Sequence, residues 1–237
     1  MPKIITSISP NNIKNQRVAI NTWQRLGFDV YSMNTPKEMP NLKRCFRDVT
    51  FIQAKETAAD LYFYDIPYPT ISEMIEFAFN QDEPTWIINS DIHLRAVDAQ
   101  IESIQNKAKE SMVFGRRTDI VDIADAGNVY NDGFDWFVLY KDFDHLFTST
   151  YKFCIGQPFW DYWLPITFIR KGIPPFLCIN EIAYHIKHEA NWNSDQLKFF
   201  GSMLASETNI KIRSHQINLL TYICNTTIYE GVKQWET

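Results

Sequence analysis

No stretch of this sequence approaches the roughly 18 uninterrupted apolar residues of a membrane-spanning helix, so no span is expected. Glycine and proline are sparse, at 8 and 11 of 237 residues. Neither gathers into a linker, which argues against flexibly tethered modules. The four cysteines, Cys45, Cys154, Cys178 and Cys224, lie far apart and form no Cys-x-x-Cys pair. That spacing fits reduced, buried thiols better than a disulfide framework. The opening Met1-Pro2-Lys3-Ile4-Ile5-Thr6-Ser7 is too short and polar for a signal peptide. A soluble, cytoplasmic protein is the expectation. Basic residues number 23 against 28 acidic ones, a formal charge of −5. This disfavours tight, sequence-independent nucleic-acid binding, which draws on Lys and Arg contacts with phosphate, although a local basic groove remains compatible with it. There is no internal repeat and no low-complexity tract.

The chain is instead apolar and aromatic, 45% hydrophobic and 15% Phe, Trp and Tyr. That composition excludes disorder, collagen and coiled coil, and the length fits one large domain. Its first half alternates between two periods. Lys3–Ser9 reads as a strand, followed by a helix in which Ile13, Val18, Ile20, Trp23 and Leu26 recur, stopped at Gly27. Phe28–Met33 and Val49–Ala54 read as strands, Ile71–Phe79 as a helix, and Thr85–Ile92 as an almost continuous apolar strand. A helix over Val97–Lys109 then leads into a strand at Met112–Gly115. Strands alternating with helices predict an α/β fold, a mostly parallel central sheet with helices on both faces. After about residue 118 the rhythm changes. Phe134–Tyr140, Phe176–Ile179 and Ile182–Ile186 read as strands. Phe159–Lys171, Asp195–Leu204 and His215–Glu230 read as helices.

In an open α/β sheet, ligands bind beyond the carboxyl ends of the strands. The apolar run Trp86-Ile87-Ile88 ends in Asn89-Ser90-Asp91-Ile92-His93. If the strand continues, its period of two puts Asp91 and His93 on one face, where carboxylate and imidazole suit a divalent ion such as Mn²⁺. The same residues also read as a helix cap and a loop histidine. A second imidazole pair, His185 and His188, follows a short strand. It lacks the His-Glu-x-x-His spacing of metalloproteases, and two surface histidines are the plainer reading. Gly133-Phe134-Asp135-Trp136 begins an aromatic strand in which Asp135 needs a partner, because an unpaired buried charge is costly. In Gly156-Gln157-Pro158-Phe159-Trp160-Asp161, Asp161 falls in the first turn of a helix. There it either complements the dipole or serves as an acid among aromatics.

Taken in order, these four pieces resemble nucleotide-sugar glycosyltransferases of the GT-A fold, and most of all the polypeptide N-acetylgalactosaminyltransferases. That family carries Asp-x-His at the end of a central strand, as in Asp91-Ile92-His93. It also carries a Gly-Phe-Asp-Trp segment, as in Gly133–Trp136, a Gly-rich loop with a carboxylate, as in Gly156 to Asp161, and a histidine after a short strand, as in Ile182–His185. The family's Gly-Gly-Glu-Asn loop is not reproduced. The resemblance implies a single GT-A-type Rossmann-like domain over 1–237, with a nucleotide-binding half to about 118 and an acceptor and sugar half beyond. It implies a metal-dependent transfer from a nucleotide-sugar donor, UDP-linked above others, to an acceptor that is a glycan, a protein or a modified nucleic-acid base. Asp91, His93 and His185 would hold Mn²⁺ or Mg²⁺, with His188 as the alternate for His185. Ser7, Ser9 and Asn11 would border the base, and Arg116 and Arg117 would reach the diphosphate or sugar. Gly156, Trp136 and Trp160 would line the sugar site, joined by Trp163 as a further platform. Asp161 and Asp135 are the catalytic candidates. Two other classes compete: a metal-dependent hydrolase built on Asp91, His185 and His188, and a non-catalytic nucleotide-binding module.

Overall fold

The computed structural model describes residues 1–62, 67–147, 152–188, 192–213 and 216–237. The N-terminal rhythm folds as its periodicity dictates. Strand β1 (Lys3–Thr6) buries Ile4 and Ile5 completely. Helix α1 (Ile13–Arg25) turns Gln16, Ala19, Ile20 and Trp23 inward at helical spacing, and Gly27 at a φ of 77° lets the chain leave it. Next come β2 (Asp29–Asn34), α2 (Met39–Cys45), β3 (Thr50–Gln53), α3 (Ala58–Tyr62), α4 (Ile71–Phe79) and β4 (Thr85–Ile88). The middle of the chain comprises β5 (Ile92–Leu94), α5 (Asp98–Ala108), β6 (Val113–Gly115), β7 (Thr118–Ile120), β8 (Asn128–Val129) and β9 (Trp136–Leu139). It closes with α6 (Trp160–Arg170), β10 (Phe176–Cys178), β11 (Ala183–Ile186), α7 (Ser194–Thr208), α8 (Ile217–Gly231) and β12 (Lys233–Trp235). The last long helix thus begins at Ile217 among the described residues. His215, where periodicity starts it, lies outside them.

Eight strands form the central sheet in the order β12-β10-β6-β9-β4-β1-β2-β3. Every pairing is parallel except those of β9, which runs antiparallel to both β4 and β6. A strand buried on both faces must be apolar on both, and alternate side chains divide accordingly. Ile87, Phe137 and Leu139 enter the core under α4 and α6, while Trp86, Ile88, Trp136 and Val138 enter the core that includes Trp23 of α1 and Ile104 of α5. The result is the expected α/β domain, a mostly parallel sheet covered by helices. Neighbours β2 and β4 flank β1 on opposite sides. The carboxyl ends of β1 and β4 therefore meet at the point where connections diverge, the position at which open α/β sheets form crevices.

The apolar run expected to continue through Ile92 breaks after Ile88. The Ile92 N–H donates to the Asn89 carbonyl at 3.2 Å, closing a turn through Ser90 and Asp91. Beyond the turn the chain enters a second sheet of order β5-β11-β7-β8, whose strands β7 and β8 the apolar pattern had not revealed. Asp91 thus leaves the main sheet on a turn, and the face it would have shared with His93 does not exist.

Candidate metal and nucleotide site

The turn carries Asp91 to the end of β11. Its Oδ2 lies 2.9 Å from His188 Nε2 and 3.6 Å from His185 Nε2, and the two imidazoles meet edge to face, centroids 4.8 Å apart. Among the described residues these three form a cluster able to hold a metal ion. Bonds of about 2.1 Å separate neighbouring ligands by roughly 3 to 3.5 Å; the two spacings from Asp91 bracket that range, and the three ligand atoms all lie within 4.8 Å of one another. Burial works to raise the Asp91 carboxyl, but hydrogen bonds and charge from His185 and His188 hold it well below the usual carboxylate range.

His93 does not join them. In the antiparallel β5–β11 ladder His93 stands opposite Tyr184, and His185 opposite Ile92. Opposed residues share a face and successive residues alternate, so His93 and His185 leave the ladder on opposite sides. His93 is 2% exposed, and burial lowers its pKa and keeps it neutral despite the charge of Asp91. The alternate, His188, takes the third place beside His185 instead of replacing it.

A polar network extends from the cluster. His185 Nδ1 lies 3.1 Å from Asp119 Oδ1. Arg117 donates through Nε to the same oxygen at 2.7 Å and through Nη1 to Asp135 Oδ1 at 2.8 Å, its guanidinium lying over the Tyr130 ring at 4.1 Å. Asn89 donates to the other face of the network, Nδ2 to Asp135 Oδ1 at 2.9 Å and N–H to the Asp135 carbonyl at 3.1 Å. Burial opposes the Arg117 charge, and Asp135 and Asp119 more than offset it, holding the guanidinium charged. Arg117 is therefore committed to two carboxylates, which corrects the expectation that it reaches a diphosphate. Asp135, 4% exposed, finds here the partner its burial demands. Arg116 extends the other way and donates to Asn131 Oδ1 at 2.7 Å.

Asp161, in the first turn of α6, accepts the Phe134 N–H at 3.0 Å. Burial, with a contribution from the charge of Asp135, pushes its carboxyl up to about 7. Gly133 makes the approach possible, since a Cβ there would stand 2.8 Å from Asp161 Oδ2.

The tryptophans expected to line a sugar site are core. Trp136 is fully buried and stacks on Trp86 at 5.1 Å. Trp160, 3% exposed, packs on Phe137 at 5.1 Å, and Trp163 stacks on Phe153 at 5.3 Å. Trp136 lies on a strand covered on both faces, and Trp160 and Trp163 on a helix packed against the sheet, so each ring turns inward, where the burial of apolar surface is worth most. Gly156, at a φ of 75°, lies against Tyr68 and turns the chain toward α6.

Ser7, Ser9 and Asn11 follow β1. The Ser9 N–H donates to Gln16 Oε1 at 2.7 Å, and the Asn11 N–H donates to Ser9 Oγ at 3.1 Å. Gln16, 2% exposed, also accepts from Ser90 Oγ at 2.7 Å and so ties the loop after β1 to the turn bearing Asp91. Gln16, Asn89 and Asp119 are site residues that motif reading missed. Two left a signal: Gln16 is a polar residue on the apolar stripe of α1, and Arg117-Thr118-Asp119 has the period of two that puts a cation and a carboxylate on one strand face.

No protein-family profile matches the sequence, and no curated protein matches it. Solved structures similar to it include a 4-diphosphocytidyl-2C-methyl-D-erythritol synthase from Anaerococcus prevotii. That likeness has 12% identity and a TM-score of 0.43, covering 86% of this chain and 97% of that one. Another is a protein from Bacillus anthracis assigned as a glucose-1-phosphate thymidylyltransferase, with 9% identity and a TM-score of 0.47, covering 92% and 99% respectively. The resemblance to polypeptide N-acetylgalactosaminyltransferases finds no support in these comparisons.

Proposed function

We propose that this protein is a metal-dependent glycosyltransferase that moves a sugar from a nucleotide-diphosphate sugar, with UDP as the favoured nucleotide, to an acceptor hydroxyl or related nucleophile. The observation that carries the reading is the convergence of His185 and His188 within 3.6 Å of the Asp91 carboxylate, on the turn that follows β4. One carboxylate and two imidazoles suit Mn²⁺, and Mg²⁺ less well. Bound there, the ion would neutralise charge developing on a departing diphosphate. The loop of Ser7, Ser9 and Asn11 borders the base in this reading, which leaves residues 1–118 as the nucleotide half. Arg116, half-buried in the link between β6 and β7, supplies the cation that Arg117 cannot. Asp161, with a carboxyl near neutrality, is suited to hold a sugar hydroxyl or accept the acceptor's proton.

A hydrolase reading draws on the same three ligands, because they leave coordination positions open for water. The two separate in one experiment. UDP-, GDP-, CMP- and TDP-sugars are screened with and without Mn²⁺ for thermal stabilisation and nucleotide release, beside His188→Ala. A UDP-sugar should stabilise and turn over only with metal, and His188→Ala should lose both by tenfold or more. Stabilisation by no nucleotide sugar sinks the proposal. Metal-dependent ester hydrolysis without nucleotide establishes the hydrolase, and nucleotide affinity without turnover establishes a binding module.

A further inference from the structure

Each ligand histidine has two ring nitrogens, and a neutral imidazole offers a metal only the one without the proton. At His185 two carboxylates compete for that proton. Asp91 faces Nε2 at 3.6 Å, and Asp119 faces Nδ1 at 3.1 Å. If the proton sits on Nε2, His185 only presents an N–H toward Asp91 and its lone pair points away from the cluster. If it sits on Nδ1, the lone pair of Nε2 points at Asp91 and His188, and the three groups become three ligands.

The geometry favours the second arrangement. Asp119 is the nearer carboxylate, and the parallel β7–β11 ladder sets it directly opposite His185. It cannot swing away, because Arg117 grips the same oxygen at 2.7 Å and is itself anchored to Asp135 at 2.8 Å and stacked on Tyr130. His185 is 5% exposed, so water does not choose the tautomer for it. We propose that Asp119, clamped by Arg117, is a positioning residue that fixes His185 as the Nδ1–H tautomer and aims Nε2 into the Asp91–His188 cluster. This rests on the reading of that cluster as a metal site, yet the tautomer itself can be read without metal.

The test uses the whole protein. Long-range ¹H–¹⁵N spectra assign the His185 tautomer in metal-free protein, at a pH where its ¹⁵N shifts show a neutral ring. Mn²⁺ titration calorimetry runs in parallel, on wild type, Asp119→Ala, Asp119→Asn and His185→Ala. Wild type should show Nδ1–H. Asp119→Ala should lose the single tautomer and bind Mn²⁺ about 10- to 100-fold more weakly, the usual effect of removing such a partner. Asp119→Asn retains an acceptor oxygen and should keep the tautomer while losing part of the affinity. Should Asp119→Ala fail to fold, Asp119→Asn decides: metal affinity equal to wild type overturns the proposal. An Nε2–H tautomer in wild type, or an unchanged tautomer and affinity in Asp119→Ala, overturns it as well. Absence of Mn²⁺ binding in wild type defeats the metal reading, and the Asp119-dependent tautomer still stands or falls on the spectra.

Discussion

Asp161 sits in the first turn of α6, where a helix favours negative charge, yet burial and neighbouring Asp135 push its carboxyl up to about 7. The folded protein therefore holds this proton more tightly than the unfolded chain, whose carboxyl releases it near 4. Stability from this group is present at low pH, falls as pH rises from about 4 to about 7, and falls no further above that. Asp161→Asn keeps an oxygen for the Phe134 N–H and removes the titration. Wild type should therefore lose Tm relative to Asp161→Asn between pH 5 and pH 8. A constant difference across that interval would show that Asp161 ionises normally.

At the scale of an element, β6 ends in a glycine because its neighbour leaves no room for anything else. Gly115 pairs with Trp136 of β9, and a Cβ on Gly115 would fall inside the Trp136 indole. That indole is stacked on Trp86 and donates to the Arg116 carbonyl at 3.3 Å, so it cannot retreat without disturbing the strand that leads to Arg117. Gly115→Ala is expected to cost about 1–3 kcal/mol, the range for overpacking a filled core. It should appear as a lower urea midpoint at unchanged slope and as a quenching change in tryptophan fluorescence. A midpoint within error of wild type would mean that the β6–β9 packing yields.

At the scale of the molecule, the small sheet is held to the large one by α1. Trp23 Nε1 donates to the Ile92 carbonyl at 2.8 Å, and the Leu94 N–H donates to Thr22 Oγ1 at 2.9 Å. The free edge of β5 is thus satisfied by helix side chains, and Asp91 immediately precedes it. Trp23→Phe fills most of the volume but leaves the Ile92 carbonyl unpaired, at a cost of about 1–3 kcal/mol. If α1 sets the position of the Asp91 turn, the same variant should also bind Mn²⁺ more weakly. A stability loss with full Mn²⁺ affinity would show that the turn is fixed by β11 alone. No helix of the described residues is long and apolar enough to cross a membrane.

Apolar periodicity is a local property, and it determined β1, α1, β2, β3, α4, β4, α5 and β6, whereas the short helices α2 and α3 and the separate strand β5 were not legible in it. The helix of Ile71–Phe79 was legible to the residue, and the mostly parallel sheet followed from the order of elements. Aspartate and imidazole near the end of β4 were legible as chemistry too. Only the tertiary structure decided which of them meet. Asp91 and His188 are 97 positions apart, and His185 and Asp119 are 66 apart. These meetings depend on a turn after Ile88 and on β11 inserting between β5 and β7, which no run of neighbouring residues encodes. The tryptophans show the same division. Their number is in the sequence, but whether the Trp136 ring faces a ligand or the core depends on what covers each face of β9, and α5 and α6 cover both.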